Sequence, residues 1–116
     1  MVVPDCIFCK IAAKEIEARI IYEDQQVVAI EDINPAAPVH ILLIPKTHVD
    51  SLDQASDQNS QLLGHIQLLA AQLARKLNIA QAGYRVVNNC GEGAGQSVLH
   101  LHYHLLGGRE MRWPPG

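Results

Sequence analysis

Aromatic residues make up only 4% of this 116-residue chain: one Phe, one Trp and three Tyr. A core must therefore be aliphatic, and the lone Phe8 and Trp113 stand out as positions to explain. Long apolar runs are missing too. The most hydrophobic stretch, Ile41-Leu42-Leu43-Ile44, ends at Pro45, far short of the roughly 20 residues that span a bilayer. Basic charge is scarce: 9 Lys and Arg against 12 Asp and Glu give a net charge of −3. That excludes the basic face of a general nucleic-acid or membrane-surface binder. The opening Met1-Val2-Val3-Pro4-Asp5 has neither the basic region nor the apolar stretch of a signal peptide, so a cytoplasmic protein is expected. Cys6, Cys9 and Cys90 would then sit in a reducing compartment and stay unpaired. No repeat or linker interrupts the chain, and its length suits one domain over residues 1–116.

What is abundant is histidine, six in all, with His100, His102 and His104 inside five residues. The surrounding pattern predicts an α+β fold. Cys6 to Lys14 reads as a short N-terminal helix. Arg19–Tyr22 and Gln26–Ile30 read as strands about a turn at Glu23-Asp24-Gln25, and Val39–Ile44 as a strand buried on both faces. Gln58 to Leu77 carries the one strong helical period, with Leu62, Ile66, Leu69, Leu73 and Leu77 on one stripe and Ser56 and Asp57 at its start. Gly83–Asn89 and Val98–Leu106 complete an antiparallel sheet of about five strands, joined by the glycine-rich loop Cys90–Ser97.

In a strand, alternate side chains share a face, so His100, His102 and His104 would line one wall and Leu101, Tyr103 and Leu105 the other. Three imidazoles on one wall each need polar partners. Metal chelation and nucleophilic catalysis both suit the spacing; a solvent-facing edge is the bland alternative. The loop Gly91–Ser97 feeds directly into this strand. Its backbone N–H groups can form an anion-binding nest. No helix follows it and no Gly-Lys-Ser/Thr ends it, so it is neither a dinucleotide fingerprint nor a P-loop. Arg85 is the only Lys or Arg from Ala82 to Gly108, which favours a single phosphoryl group over a polyphosphate.

His100-Leu101-His102-Tyr103-His104-Leu105-Leu106 has the form His-φ-His-φ-His-φ-φ, φ being hydrophobic. With Cys6-Ile7-Phe8-Cys9-Lys10-Ile11, Asp32–His40, Ile44–Val49, Gly95–Val98 and the ending Gly107–Gly116, it resembles the Hint branch of the histidine triad superfamily over nearly the whole chain. The resemblance implies a homodimer with one sheet extended across the interface. It also implies hydrolysis of purine nucleoside 5′-phosphoramidates to AMP and an amine through a nucleotidyl-histidine. His102 matches the nucleophile, His104 and Ser97 the phosphate contacts, and His40 and His100 the network orienting the nucleophile. Asp32 matches the ribose contact and Asn89 a further substrate contact. Gly95 and Gln96 belong to the phosphate-binding turn, while Phe8, Ile30 and Ile33 match the base slot. Trp113, in the tail, matches a position that docks near the partner's active site. Sister branches cleave dinucleoside polyphosphates or transfer nucleotides, and a non-catalytic purine-nucleotide-binding role is the third alternative.

Catalysis of this kind requires no cofactor, but attack needs a neutral imidazole, so acid well below pH 6.5 should suppress it. Cys6 and Cys9 have the spacing of half a zinc site, which His48 and His100 could complete as a structural centre. Cys90 has no assigned role, and His65 reads as an ordinary helix residue.

Overall fold

Alternating apolar residues place a single sheet between two unequal layers. The computed structural model describes Val3 and residues 5–116; Met1, Val2 and Pro4, part of the opening on which the missing signal peptide was argued, lie outside the described residues. Five antiparallel strands are β1 (Ile20–Glu23), β2 (Val27–Glu31), β3 (Val39–Pro45), β4 (Tyr84–Val87) and β5 (Tyr103–Gly107), in the order β1-β2-β3-β5-β4. Helix α1 (Ile7–Ala12) covers one face of the sheet and helix α2 (Ser60–Lys76) the other.

The strand β3 explains this sandwiching. Ile41 and Leu43 pack into the cluster of α2, while Leu42 and Ile44 join Phe8 and Ile11 of α1 on the opposite face. On α2, Leu62, Ile66, Leu69, Ala70, Leu73 and Ala74 are buried. Each large aliphatic among them contributes about 1.5–3 kcal/mol, well above the cost of about 1 kcal/mol for Gly64 in the helix. The helix starts two residues later than its sequence period suggests. Ser56 caps a preceding 3₁₀ turn over Asp57–Asn59 instead, its hydroxyl accepting from Gln58 N–H. Asn78, at φ 63°, turns the chain away at the far end. A Cβ on Gly107 would lie 2.5 Å from Ile79 Cδ1, so only glycine lets β5 close against the segment after α2.

Other expected bounds change as well, and the strand predicted over Gly83–Asn89 is only β4, Tyr84–Val87, because its pairing with β5 ends at Val87↔His104. The helix predicted over Cys6–Lys14 is only Ile7–Ala12, because Cys6 caps it through Sγ and Lys14 takes φ 65°. The strand predicted over Val98–Leu106 begins only at Tyr103, since its ladders stop at Leu43↔Tyr103 and Val87↔His104. His100 and His102 thus stand before the strand. Their facing nevertheless holds: Leu101, Tyr103 and Leu105 enter the α2 cluster, and Phe8 of α1 packs on the rings of His100 and His102.

Candidate active site

Hydrogen bonds fix the hydrogen position on each of the clustered histidine rings. His102 Nδ1–H donates to the His100 carbonyl at 2.7 Å, leaving Nε2 with its lone pair and no partner among the described residues. Beside it, with ring centroids 5.1 Å apart, lies His104. His104 Nδ1 is 2.8 Å from His40 Nε2, and His40 Nδ1 accepts from the Ala36 backbone N–H at 2.9 Å. An accepted N–H means that His40 carries its hydrogen on Nε2 and donates it to His104 Nδ1. His104 then carries its own hydrogen on Nε2. The site therefore presents one imidazole lone pair next to one imidazole N–H.

Burial keeps these rings uncharged. It lowers His102 from the usual imidazole value, against the opposing bond to the His100 carbonyl and the charge of Asp32. Burial likewise lowers His40. His104 is brought down to about 4, first by burial and then by His102 and His40. A neutral, partly buried imidazole near pH 7 is a nucleophile, whereas a protonated one is not.

The neighbouring residues divide into those brought to the cluster and those held apart. Asp32 Oδ1 accepts from Asn34 N–H, and Oδ2 lies 3.4 Å from His40 Nε2. Phe8, Ile30, Asp32 and Ile33 line one cleft of about 290 Å³. Phe8 and Ile30 are buried walls, while Ile33 is 91% exposed at its rim. Ser97 lines a different cavity of about 420 Å³ with Cys6, His48 and Asp50. Gln96 is a brace: Oε1 accepts from Gly91 N–H and Nε2 donates to the Asp50 and Val98 carbonyls. Gly95, at φ 86°, ends the 3₁₀ turn Glu92–Ala94. Asn89 is half-buried just beyond β4. Trp113 is 82% exposed, with its tail tied down by Arg85 donating to the Arg112 carbonyl.

His40 pairs with His104 and not with His102. His100 acts on His102 through its carbonyl, because its ring is engaged elsewhere. That ring is buried, with Nε2–H donating to the Pro45 carbonyl and Nδ1 facing Cys6 Sγ at 3.2 Å and Cys9 Sγ at 3.7 Å. His48 Nδ1 lies 3.4 Å from Cys9 Sγ, and His48 Nε2–H donates to Asp50 at 2.7 Å. All four donor atoms fall within 4.8 Å of one another, as tetrahedral zinc requires. Both imidazoles turn an unprotonated Nδ1 inward, each oriented by an outer partner. Backbone N–H groups of Val3 and Cys9 point at the two sulfurs.

Sequence reasoning missed the Ala36 N–H, the Pro45 carbonyl, Asp50 and Asn88. The first two are main-chain groups and carry no sequence signal. Asp50 had one: an acid two residues after a candidate ligand histidine is a candidate outer partner. His65, read as an ordinary helix residue, donates to Asp24 at 2.6 Å and ties α2 to the β1–β2 turn.

Comparison with known proteins gives the chain's family and fold. The family model described as "Scavenger mRNA decapping enzyme C-term binding" matches residues 5–113. The protein HitA of Neisseria gonorrhoeae is 50% identical over 103 residues, 89% of this chain and 95% of that one. The crystal structure of a HIT family hydrolase from Legionella pneumophila superposes with a TM-score of 0.95 at 47% identity, covering 97% of this chain and 100% of the other. A zinc-bound histidine triad family protein from Mycobacterium smegmatis matches at 32% identity with a TM-score of 0.78, over 91% of this chain and 76% of its own.

Proposed function

This chain belongs to the histidine triad (HIT) family, and we propose that it hydrolyses purine nucleoside 5′-phosphoramidates, as the Hint branch does. The observation that carries this reading is the fixed pair of rings, His102 with a free Nε2 lone pair and His104 with an Nε2–H. His102 Nε2 attacks the α-phosphorus. The P–N bond breaks, the amine leaves with a proton taken from solvent, and a nucleotidyl-histidine remains. Its imidazolium is stabilised by the His100 carbonyl, which accepts the Nδ1–H. Water then cleaves the new P–N bond, releasing AMP and a proton and restoring neutral His102. Throughout, His104 Nε2–H donates to a phosphoryl oxygen, a neutral donor suited to a singly charged phosphoryl group.

The purine fits the apolar cleft of Phe8, Ile30 and Ile33, and Asp32 at its edge accepts the ribose hydroxyls. The loop amides of Ala94, Gly95 and Gln96 donate to the Gly91 and Glu92 carbonyls and do not form the expected anion nest, so the Ser97 hydroxyl is the loop's phosphate contact, with Asn89 a further substrate contact and Gln96 a brace. Cys6, Cys9, His48 and His100 would hold a structural zinc. Through these ligands zinc would tether α1 to the chain just before His102, a structural role apart from the attack on phosphorus.

A homodimer joined at β4 agrees with the sheet order, which leaves β4 at an edge with Tyr84 and Val86 partly exposed. Leu68 of α2 is also 67% exposed. The chain exposes 7340 Å², against about 6,200 Å² for a compact protein of this mass. Trp113 would dock on the second copy.

The test is AMP release from adenosine 5′-phosphoramidate and from diadenosine polyphosphates, for wild type and His102→Ala. Fast phosphoramidate turnover abolished by the substitution is expected. Preferential polyphosphate cleavage, or nucleotide binding without turnover, would overturn the reading.

A further inference from the structure

The nucleophile's own main chain lies outside the sheet, and one side chain reaches over to hold it. Pairing of β4 with β5 stops at Val87↔His104. Two more residues in that register would set Asn89 opposite His102, but no strand pairing continues there. In its place Asn88 Nδ2–H donates to the His102 carbonyl at 3.0 Å. On the preceding residue, Leu101 N–H donates to the Val49 carbonyl at 2.6 Å. These two bonds clasp the segment whose His100 carbonyl sets the His102 ring.

Asn88 carries a cost that points to its role. Its Oδ1 is buried with no hydrogen-bond partner among the described residues, the one such side-chain atom there. Buried polar groups left unpaired are rare because they are destabilising. Leucine would fill much the same volume without a bare carbonyl. What leucine lacks is the N–H that holds His102.

We propose that Asn88 is a positioning residue for the nucleophile, fixing the His102 peptide and hence the aim of Nε2 at phosphorus. It rests on the assignment of His102 in the proposed function. Asn88 differs in kind from its neighbour Asn89, since it acts through His102 and touches no substrate.

Asn88→Leu removes the donor and the bare carbonyl together. On adenosine 5′-phosphoramidate, kcat should fall about ten-fold, in keeping with the sensitivity of transfer reactions to sub-ångström misplacement, while KM stays within about two-fold. Thermal stability should hold or rise. In ¹⁵N-histidine spectra, His102 should pass from one Nδ1–H tautomer in wild type to an averaged pair in the variant. This signal needs no substrate, so it tests the positioning even if wild type turns over no phosphoramidate. Unchanged kcat with unchanged His102 signals overturns the proposal, as does a raised KM at constant kcat. If Asn88→Leu does not fold, Asn88→Ala is read in the same way.

Discussion

His40 Nε2 lies 2.8 Å from His104 Nδ1, and the Ala36 backbone N–H on the far side of His40 decides which of the two nitrogens carries the hydrogen. One main-chain amide thereby sets the polarity of a ring two steps away. Removing His40 leaves His104 free to take either tautomer and to turn an acceptor toward the phosphoryl oxygen. His40→Ala should lower kcat on adenosine 5′-phosphoramidate about 10²-fold, the scale seen when one donor to a developing oxyanion is lost. A change below about two-fold would remove this relay from the account.

The acid limb of activity follows from burial. His102 is lowered from 6.5 because burial penalises its charged form, so it remains neutral below the pH at which free imidazole protonates. The profile of kcat/KM against pH should stay level through 6.5 and turn down only beneath it. A downturn centred at or above 6.5 would contradict the structure.

Much of the site was legible in the sequence. The alternation of histidine with Leu101, Tyr103 and Leu105 needs only extended backbone, so the facing of the rings survived although the ladder begins at Tyr103. The ladder itself was not legible, because alternation carries no information about whether a neighbour strand continues. The four sulfur and nitrogen donors were foreseen from the Cys-x-x-Cys spacing and the family likeness. Gln96 enters the site from the resemblance through the backbone of the Gly95–Ser97 turn, yet its N–H donates to the Gly91 carbonyl and main-chain groups consume its side-chain amide. Ala36 and Asn88 were invisible for a different reason: their contributions are single hydrogen bonds set by tertiary placement.

Zinc offers an independent check. Wild type should purify with about one zinc per chain, and Cys9→Ser should lose it. The melting temperature should drop by about 5 °C or more, as expected for a loss of a kcal/mol or so in a chain of this size. Zinc content unchanged by the substitution, or absent from wild type, would remove the structural centre.

The link between α2 and the β1–β2 turn predicts a distinct acid sensitivity. Burial alone would raise Asp24, but bonds from the Gln26 and Val27 N–H groups, His65 and Tyr22 outweigh it and hold the carboxyl at about 2. Its value is depressed from 3.8, so the stabilisation is complete above pH 4 and drains away as pH falls toward 2. Asp24→Asn should cost about 2 kcal/mol at pH 7, and the gap from wild type should close with acid. Urea denaturation at stepped pH measures it; a gap that is constant with pH would refute the linkage.

Attack of His102 on phosphorus leaves a covalent intermediate that a rapid-quench experiment can catch. Wild type is mixed with adenosine 5′-phosphoramidate, stopped in the first turnover and analysed by peptide mass spectrometry. An adenylyl group should form on His102 before AMP appears, with neither adduct nor turnover in His102→Ala. An adduct on another residue, or full turnover by His102→Ala, would contradict it.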